Sequence, residues 1–87
     1  MNTRFFLMAQ YNGAAVIPLD RVCTDYFSHL TPQALAAKIQ RGDVKLPMIR
    51  MEAASQKAAK GVHIDDLADW IDARREAAKR ELKAISA

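Results

Sequence analysis

The sequence is poor in the residues that build loop-rich or disulfide-stapled folds. Its 87 residues include one Cys, three Gly and three Pro. A single thiol, Cys23, excludes an internal disulfide framework and favours a reducing compartment. The apolar run Phe5–Ala9 is too short to cross a bilayer, and no cleavage site of a leader peptide follows it. We therefore expect a cytoplasmic protein without membrane contact.

The basic residues of the chain are concentrated in its middle third. The net charge is +3, but residues 31–63 alone hold six basic and two acidic residues, a net charge of +4. The preceding segment is neutral and the following one is slightly acidic. Because the excess sits in one stretch, we expect a polyanion to contact it. A basic face that meets only solvent is the alternative.

Two short helices are predicted around residues 18–42. The first starts at Pro18 and runs to about residue 28, with an apolar stripe at helical spacing. The second is capped by Thr31, has Pro32 at its first position and ends at Gly42. Since only three residues separate them, the pattern indicates a helix–turn–helix. The stripe of the first helix consists of Leu19, Val22, Cys23, Tyr26 and Phe27.

The segment from residue 3 to residue 17 admits two interpretations. Phe5, Phe6 and Tyr11 favour a strand, and Asn12-Gly13 before Val16 is a hairpin signal. Good helix formers between them leave a short helix ending at Asn12-Gly13 as the competitor. We expect a strand.

A strand pair and a long helix are predicted to follow. Leu46–Glu52 alternates as a strand, Gly61–Ile64 returns, and Ala53–Lys60 forms the tip between them. Asp65 or Asp66 then caps a long helix. Beyond Arg74 its apolar stripe thins, so the distal part is either a solvated tail or a dimerisation face. The thinned stripe consists of Ala78, Leu82 and Ile85.

This order of elements predicts an α+β, mainly α fold: a winged helix–turn–helix of the MerR and excisionase type with a long C-terminal helix. Residues 1–75 would form the DNA-binding domain and residues 76–87 a helical extension. In such a fold the second helix enters the major groove and the strand pair, the wing, meets the backbone. The alternative is a surface of ordinary helix formers and a solubilising loop. The predicted DNA-binding residues are Gln33, Ala34, Ala37, Lys38, Arg41, Lys45, Arg50, Ser55, Gln56, Lys57 and Lys60.

Several motifs together resemble the pyocin activator protein family. They span about residues 4 to 75 and are Leu7–Tyr11, Val16–Asp20, Asp25–Phe27, Leu46-Pro47, Arg50, Ser55–Lys57 and Val62–Ala68. The resemblance implies a bacterial transcriptional activator that binds promoter-proximal boxes and switches on bacteriocin genes after DNA damage. Three roles remain open for Leu7–Tyr11: part of the core, a dimerisation segment or a contact to RNA polymerase.

The sequence offers no pattern typical of an enzyme or a metalloprotein. His29, His63 and Cys23 lack the spacing of metal ligands, and no phosphate-binding glycine loop or nucleophile–base pair is present. We therefore expect no catalysis, metal or cofactor. The expected partners are double-stranded promoter DNA, a second copy of the chain and RNA polymerase. An excisionase-like architectural DNA-binding protein and a protein-interaction module that binds no DNA are the alternatives.

Overall fold

The computed structural model describes residues 2–55 and 58–86, and within them it shows four helices and one three-stranded antiparallel sheet. The fold is thus α+β and mostly helical, as the sequence predicts. In chain order the elements are α1 (Thr3–Gln10), β1 (Val16–Pro18), α2 (Leu19–Tyr26), α3 (Pro32–Gln40), β2 (Ile49–Arg50), β3 (Lys60–His63) and α4 (Ile64–Ser86).

The first segment is a helix, so the expected strand and its Asn-Gly hairpin are wrong. Asn2 caps α1 by accepting a hydrogen bond from the Phe5 amide, 3.3 Å away. Leu7 and Tyr11, four residues apart, are buried together. Asn12 and Gly13 have φ values of 54° and 76°, the left-handed conformation that ends helices as readily as it turns hairpins. The alternative of a short helix ending at Asn12-Gly13 is confirmed.

The sheet is built around β3, which pairs with both other strands. Its order is β1-β3-β2, with Ile17 opposite Val62 and Arg50 opposite Lys60. The predicted strand pair is present, although β2 is only two residues long. Pro47 has no amide hydrogen to give to a ladder, which is consistent with this late start. The sequence did not predict that β1 would also pair with β3.

The two middle helices lie where the sequence predicts them. Thr31 Oγ1 accepts a hydrogen bond from the Ala34 amide at 3.1 Å, and Gly42 follows α3 with a φ of 80°. The Cys23 thiol donates to the Leu30 carbonyl at 3.1 Å. This hydrogen bond links the turn between α2 and α3 to the middle of α2.

The start of α4 differs from the expected aspartate cap. The helix begins at Ile64, and His63 Nδ1 accepts a hydrogen bond from the Asp65 amide at 3.0 Å. Asp65 instead forms an ion pair with Arg4 of α1. Thr3 Oγ1 donates to Asp72 Oδ1 at 2.6 Å, so two polar contacts hold α1 along the first half of α4.

One core joins the sheet to all four helices, and α4 extends beyond it. The fully buried side chains of this core come from β1, α2, α3, β3 and α4. The rings of Phe27 and Trp70 pack against each other with centroids 4.9 Å apart and planes tilted by 44°. No helix in the described ranges is long and apolar enough to span a membrane. The fully buried side chains are Ile17, Val22, Leu35, Val62 and Leu67.

The first prediction concerns the close approach of β1 and β3. A Cβ atom at Gly61 would lie 2.7 Å from the Ile17 carbonyl oxygen and 2.7 Å from Val16 Cγ1. Gly61→Ala must therefore push the strands apart, and we expect it to lower the free energy of unfolding by about 2 kcal/mol. Gly13→Ala is the comparison, because its Cβ would meet no atom within 4 Å and only its left-handed φ is strained. Urea denaturation measures both, and an equal effect of the two changes would contradict the account.

The second prediction concerns the buried phenol that links α1 to α2. Tyr11 Oη donates to Asp25 Oδ2 at 2.6 Å. Burial and this bond raise the pKa of Tyr11 above its usual range. The neutral phenol thus contributes stability that is complete below pH of about 10, the pKa in the unfolded chain, and is lost as the pH rises further.

Tyr11→Phe should therefore lower stability at neutral pH by about 1 kcal/mol. It should also make the loss of stability at alkaline pH shallower than in the parent chain. Thermal unfolding followed by circular dichroism across the alkaline range measures the difference. If stability fell with pH equally steeply in both proteins, the role assigned to the Tyr11 phenol would be contradicted.

Candidate nucleic-acid interface

The outer face of α3 presents amide and basic side chains to solvent. Leu35 is buried and Ile39 packs against the core, which fixes the rotation of the helix. Gln33 and Arg41 are exposed on the other side. Between these two residues the face carries small or flexible side chains that are partly exposed, namely Ala34, Ala37 and Lys38.

Gln40 belongs to this face and is missing from the sequence-predicted site. It is exposed and lies seven residues after Gln33 and three after Ala37, which is the spacing of one helical face. The same periodicity was available in the sequence. An amide at this position gives α3 two glutamines about two turns apart.

The strand pair places two positive charges directly opposite each other. Arg50 on β2 and Lys60 on β3 are Cα partners in the antiparallel register. Like charges at opposed positions destabilise a sheet, because their side chains leave the same face side by side. No acidic residue separates them within the ladder. An anion bound between the two side chains would relieve the repulsion.

A cleft brings the start of α3 and the returning strand together. Its volume is about 360 Å³, and its walls include Gln33 on one side and Lys60 on the other. Leu19 and Asp20, at the start of α2, also line it. Two of the sequence-predicted residues, from separate elements, therefore share one concave surface.

Arg41 is paired with a neighbouring carboxylate. Its Nε and Nη2 atoms each lie 3.1 Å from Asp43 Oδ2. Both side chains are more than half exposed, at 60% and 52%. An ion pair so exposed contributes at most about 1 kcal/mol, so the guanidinium can exchange this carboxylate for another anion.

Lys45 lies in a different surface groove from Gln33 and Lys60. That groove has a volume of about 770 Å³ and runs between the loop after α3 and the outer side of α4. Arg74 and Arg80 line it as well, together with Asp66 and Asp69. This groove therefore carries charges of both signs.

The remaining predicted residues lie between β2 and β3 in the sequence. Ser55 is partly buried there, whereas Gln56 and Lys57 fall outside the described residues. Among residues 2–55 and 58–86, no group of three His, Cys, Asp or Glu side chains could hold a metal ion. No charged side chain in those ranges is buried.

Comparison with known protein families shows to which family the chain belongs. The family model described as "Pyocin activator protein PrtN" matches residues 3–78. The chain belongs to this family. No curated protein and no solved structure matches significantly. Membership in the pyocin activator family points to transcriptional activation of pyocin genes, and the family is one of regulators rather than enzymes.

The third prediction tests the opposed charges without any ligand. Lys60→Gln removes the repulsion with Arg50 and leaves a polar side chain that is one atom shorter. We expect the free energy of unfolding to rise by about 0.5 kcal/mol at low salt, and the gain to shrink as salt screens the pair. Lys83→Gln, on the exposed end of α4, is the control and should change little. A loss of stability in Lys60→Gln would contradict the opposed-charge account.

Proposed function

We propose that this pyocin activator family member binds double-stranded promoter DNA as a winged helix–turn–helix. In this proposal α3 lies in the major groove and the β2–β3 pair is the wing. The observation that carries it is the shared cleft, where Gln33 of α3 and Lys60 of the wing face the same space. Recognition groups and phosphate-binding groups would then act on one stretch of duplex.

The outer face of α3 suits contact with base edges. The nine-residue helix is about 13.5 Å long and about 10–12 Å across, and a helix of that diameter enters a major groove about 12 Å wide. Gln33 and Gln40 carry amides that can pair with adenine. Ala37 allows the helix backbone to approach the groove floor closely. Arg41 can leave Asp43 for a guanine or a phosphate.

The wing suits contact with the sugar–phosphate backbone. Arg50 and Lys60 present two positive charges from opposed positions, and a phosphate between them would satisfy both. Their repulsion in the free protein becomes attraction to DNA when the phosphate enters. The predicted contacts of Gln56 and Lys57 at the tip remain part of the proposal.

The proposed biological role is the activation of pyocin genes after DNA damage, in the bacterial cytoplasm and with RNA polymerase as the machinery acted upon. Membership in the pyocin activator family supports this role. An architectural protein of the excisionase type would use the same DNA-binding surface. Activation of a promoter reporter that lacks any recombination site separates the two roles.

The fourth prediction is a DNA-binding series on pyocin promoter fragments, measured by fluorescence anisotropy. Arg50→Gln and Lys60→Gln should weaken binding similarly for all sequences and lower the salt slope by about one unit each. Gln33→Ala should reduce discrimination against mutated boxes, at a cost of about 1–3 kcal/mol, with little change in the salt slope.

Lys83→Gln is the matched control for the two charge removals. It also deletes one positive charge, but on the distal part of α4, so affinity and salt slope should stay near those of the parent chain. Equal losses in all three charge variants would show that only net charge matters. That result would overturn the proposed surface.

A further inference from the structure

The apolar face of α4 continues past the end of the folded body. Leu67 and Ile71 cover the core from this face, and Ala78, Leu82 and Ile85 follow on it at spacings of seven, four and three residues. Leu82 is 65% exposed and Ile85 is 82% exposed. Within the described ranges, no other part of the chain covers them. The molecule is correspondingly elongated, measuring 50 × 29 × 19 Å.

We propose that a second copy of the chain covers the part of this face from Ile71 to Leu82, with the two α4 helices side by side and antiparallel. The symmetry axis lies between residues 76 and 77. Ile71 of one copy then faces Leu82 of the other, and Arg75 faces Ala78. The paired segment spans residues 71 to 82 of each copy, about 18 Å of helix. Ile85 lies beyond it, because its counterpart in this register is Ala68, which is buried in its own core.

The charged residues that flank this helix–helix contact, which we call the seam, favour the antiparallel register. Arg74 lies next to Glu81 of the second copy along one edge, and Asp72 lies next to Lys79 of the second copy along the other. Symmetry repeats each contact, so four ion pairs flank the seam. Asp72 Oδ1 already accepts from Thr3, and the second carboxylate oxygen can accept from Lys79 of the second copy. In the single chain Lys79 Nζ lies 3.3 Å from Glu76 Oε1, an exposed ion pair that it would exchange for Asp72.

Other arrangements of the same two helices bring like charges together. A parallel pair sets Arg75 against Arg75 and Arg74 beside Lys79. An antiparallel pair shifted to place Ala78 opposite Leu82 sets Lys79 against Lys79 and Glu81 against Glu81. A shift in the opposite direction would need Leu67 and Ala68, which are buried in their own core.

The seam accommodates its one charged residue. Arg75 is exposed and faces Ala78 of the second copy. The small alanine side chain leaves room for the aliphatic part of the arginine, and the guanidinium reaches water. The overlap is short compared with interfaces that bury about 1,600 Å² in total. We therefore expect a reversible dimer that depends on concentration. This association is independent of the proposed DNA contacts.

Sedimentation equilibrium between about 1 and 300 μM tests the proposal directly, in a range where dimers of this size dissociate. Arg74→Glu should weaken dimerisation about tenfold, because it turns two attractive contacts with Glu81 into repulsive ones. The double variant Arg74→Glu/Glu81→Arg should restore association to within about twofold of the parent chain. Arg80→Glu, on the face opposite the seam, should leave it unchanged.

Three results would overturn the proposal. The first is a parent chain that stays monomeric over the whole range. The second is tighter association of Arg74→Glu, which a parallel pair predicts because the new glutamate would face Lys79. The third is a double variant no stronger than Arg74→Glu alone. All the substituted side chains are exposed, so circular dichroism should show the same helix content in every variant.

Discussion

The pairing of β3 on both edges is the constraint on which the rest of the structure depends. β3 joins β1 to β2 and continues directly into α4. Gly61 makes the double pairing possible, because no side chain separates it from the Ile17 carbonyl. His63, at the end of the same strand, accepts the hydrogen bond that starts α4. One four-residue strand thus sets the positions of β1, β2 and α4.

The same strand carries a charge that the fold alone does not explain. Lys60 faces Arg50 across the ladder, and two positive side chains at opposed positions destabilise a sheet. Sites where local rules are broken are often the ones that bind a partner, because the partner supplies the missing interaction. A phosphate group has the charge and size to do so. Stability and proposed DNA affinity therefore respond in opposite directions to changes at Lys60.

Local signals in the sequence predicted the elements whose ends are marked by side chains. Thr31, Pro32 and Gly42 delimit α3 by chemistry that requires no distant partner, and the structure agrees closely. The same local reasoning failed at Asn12-Gly13, because a left-handed pair ends a helix or turns a hairpin equally well. The choice was made by Leu7 and Tyr11, whose burial depends on packing against other elements.

The parts of the site that sequence reasoning missed depend on contacts across the fold. The opposition of Arg50 and Lys60 follows from a register that composition does not reveal. Likewise, the capping role of His63 required knowing that the helix begins at Ile64. Gln40 is different, since its helical spacing from Gln33 was visible in the sequence.

The central claim, that α3 and the wing form one DNA-binding surface, is tested most directly by mapping the surface residue by residue. Backbone amide chemical shifts of the labelled protein can be followed by NMR during titration with a pyocin promoter duplex. The account predicts the largest changes at Gln33, Gln40 and Lys60, with small changes at the exposed Phe5 of α1. Large changes along the outer side of α1, with α3 and β3 unaffected, would contradict it.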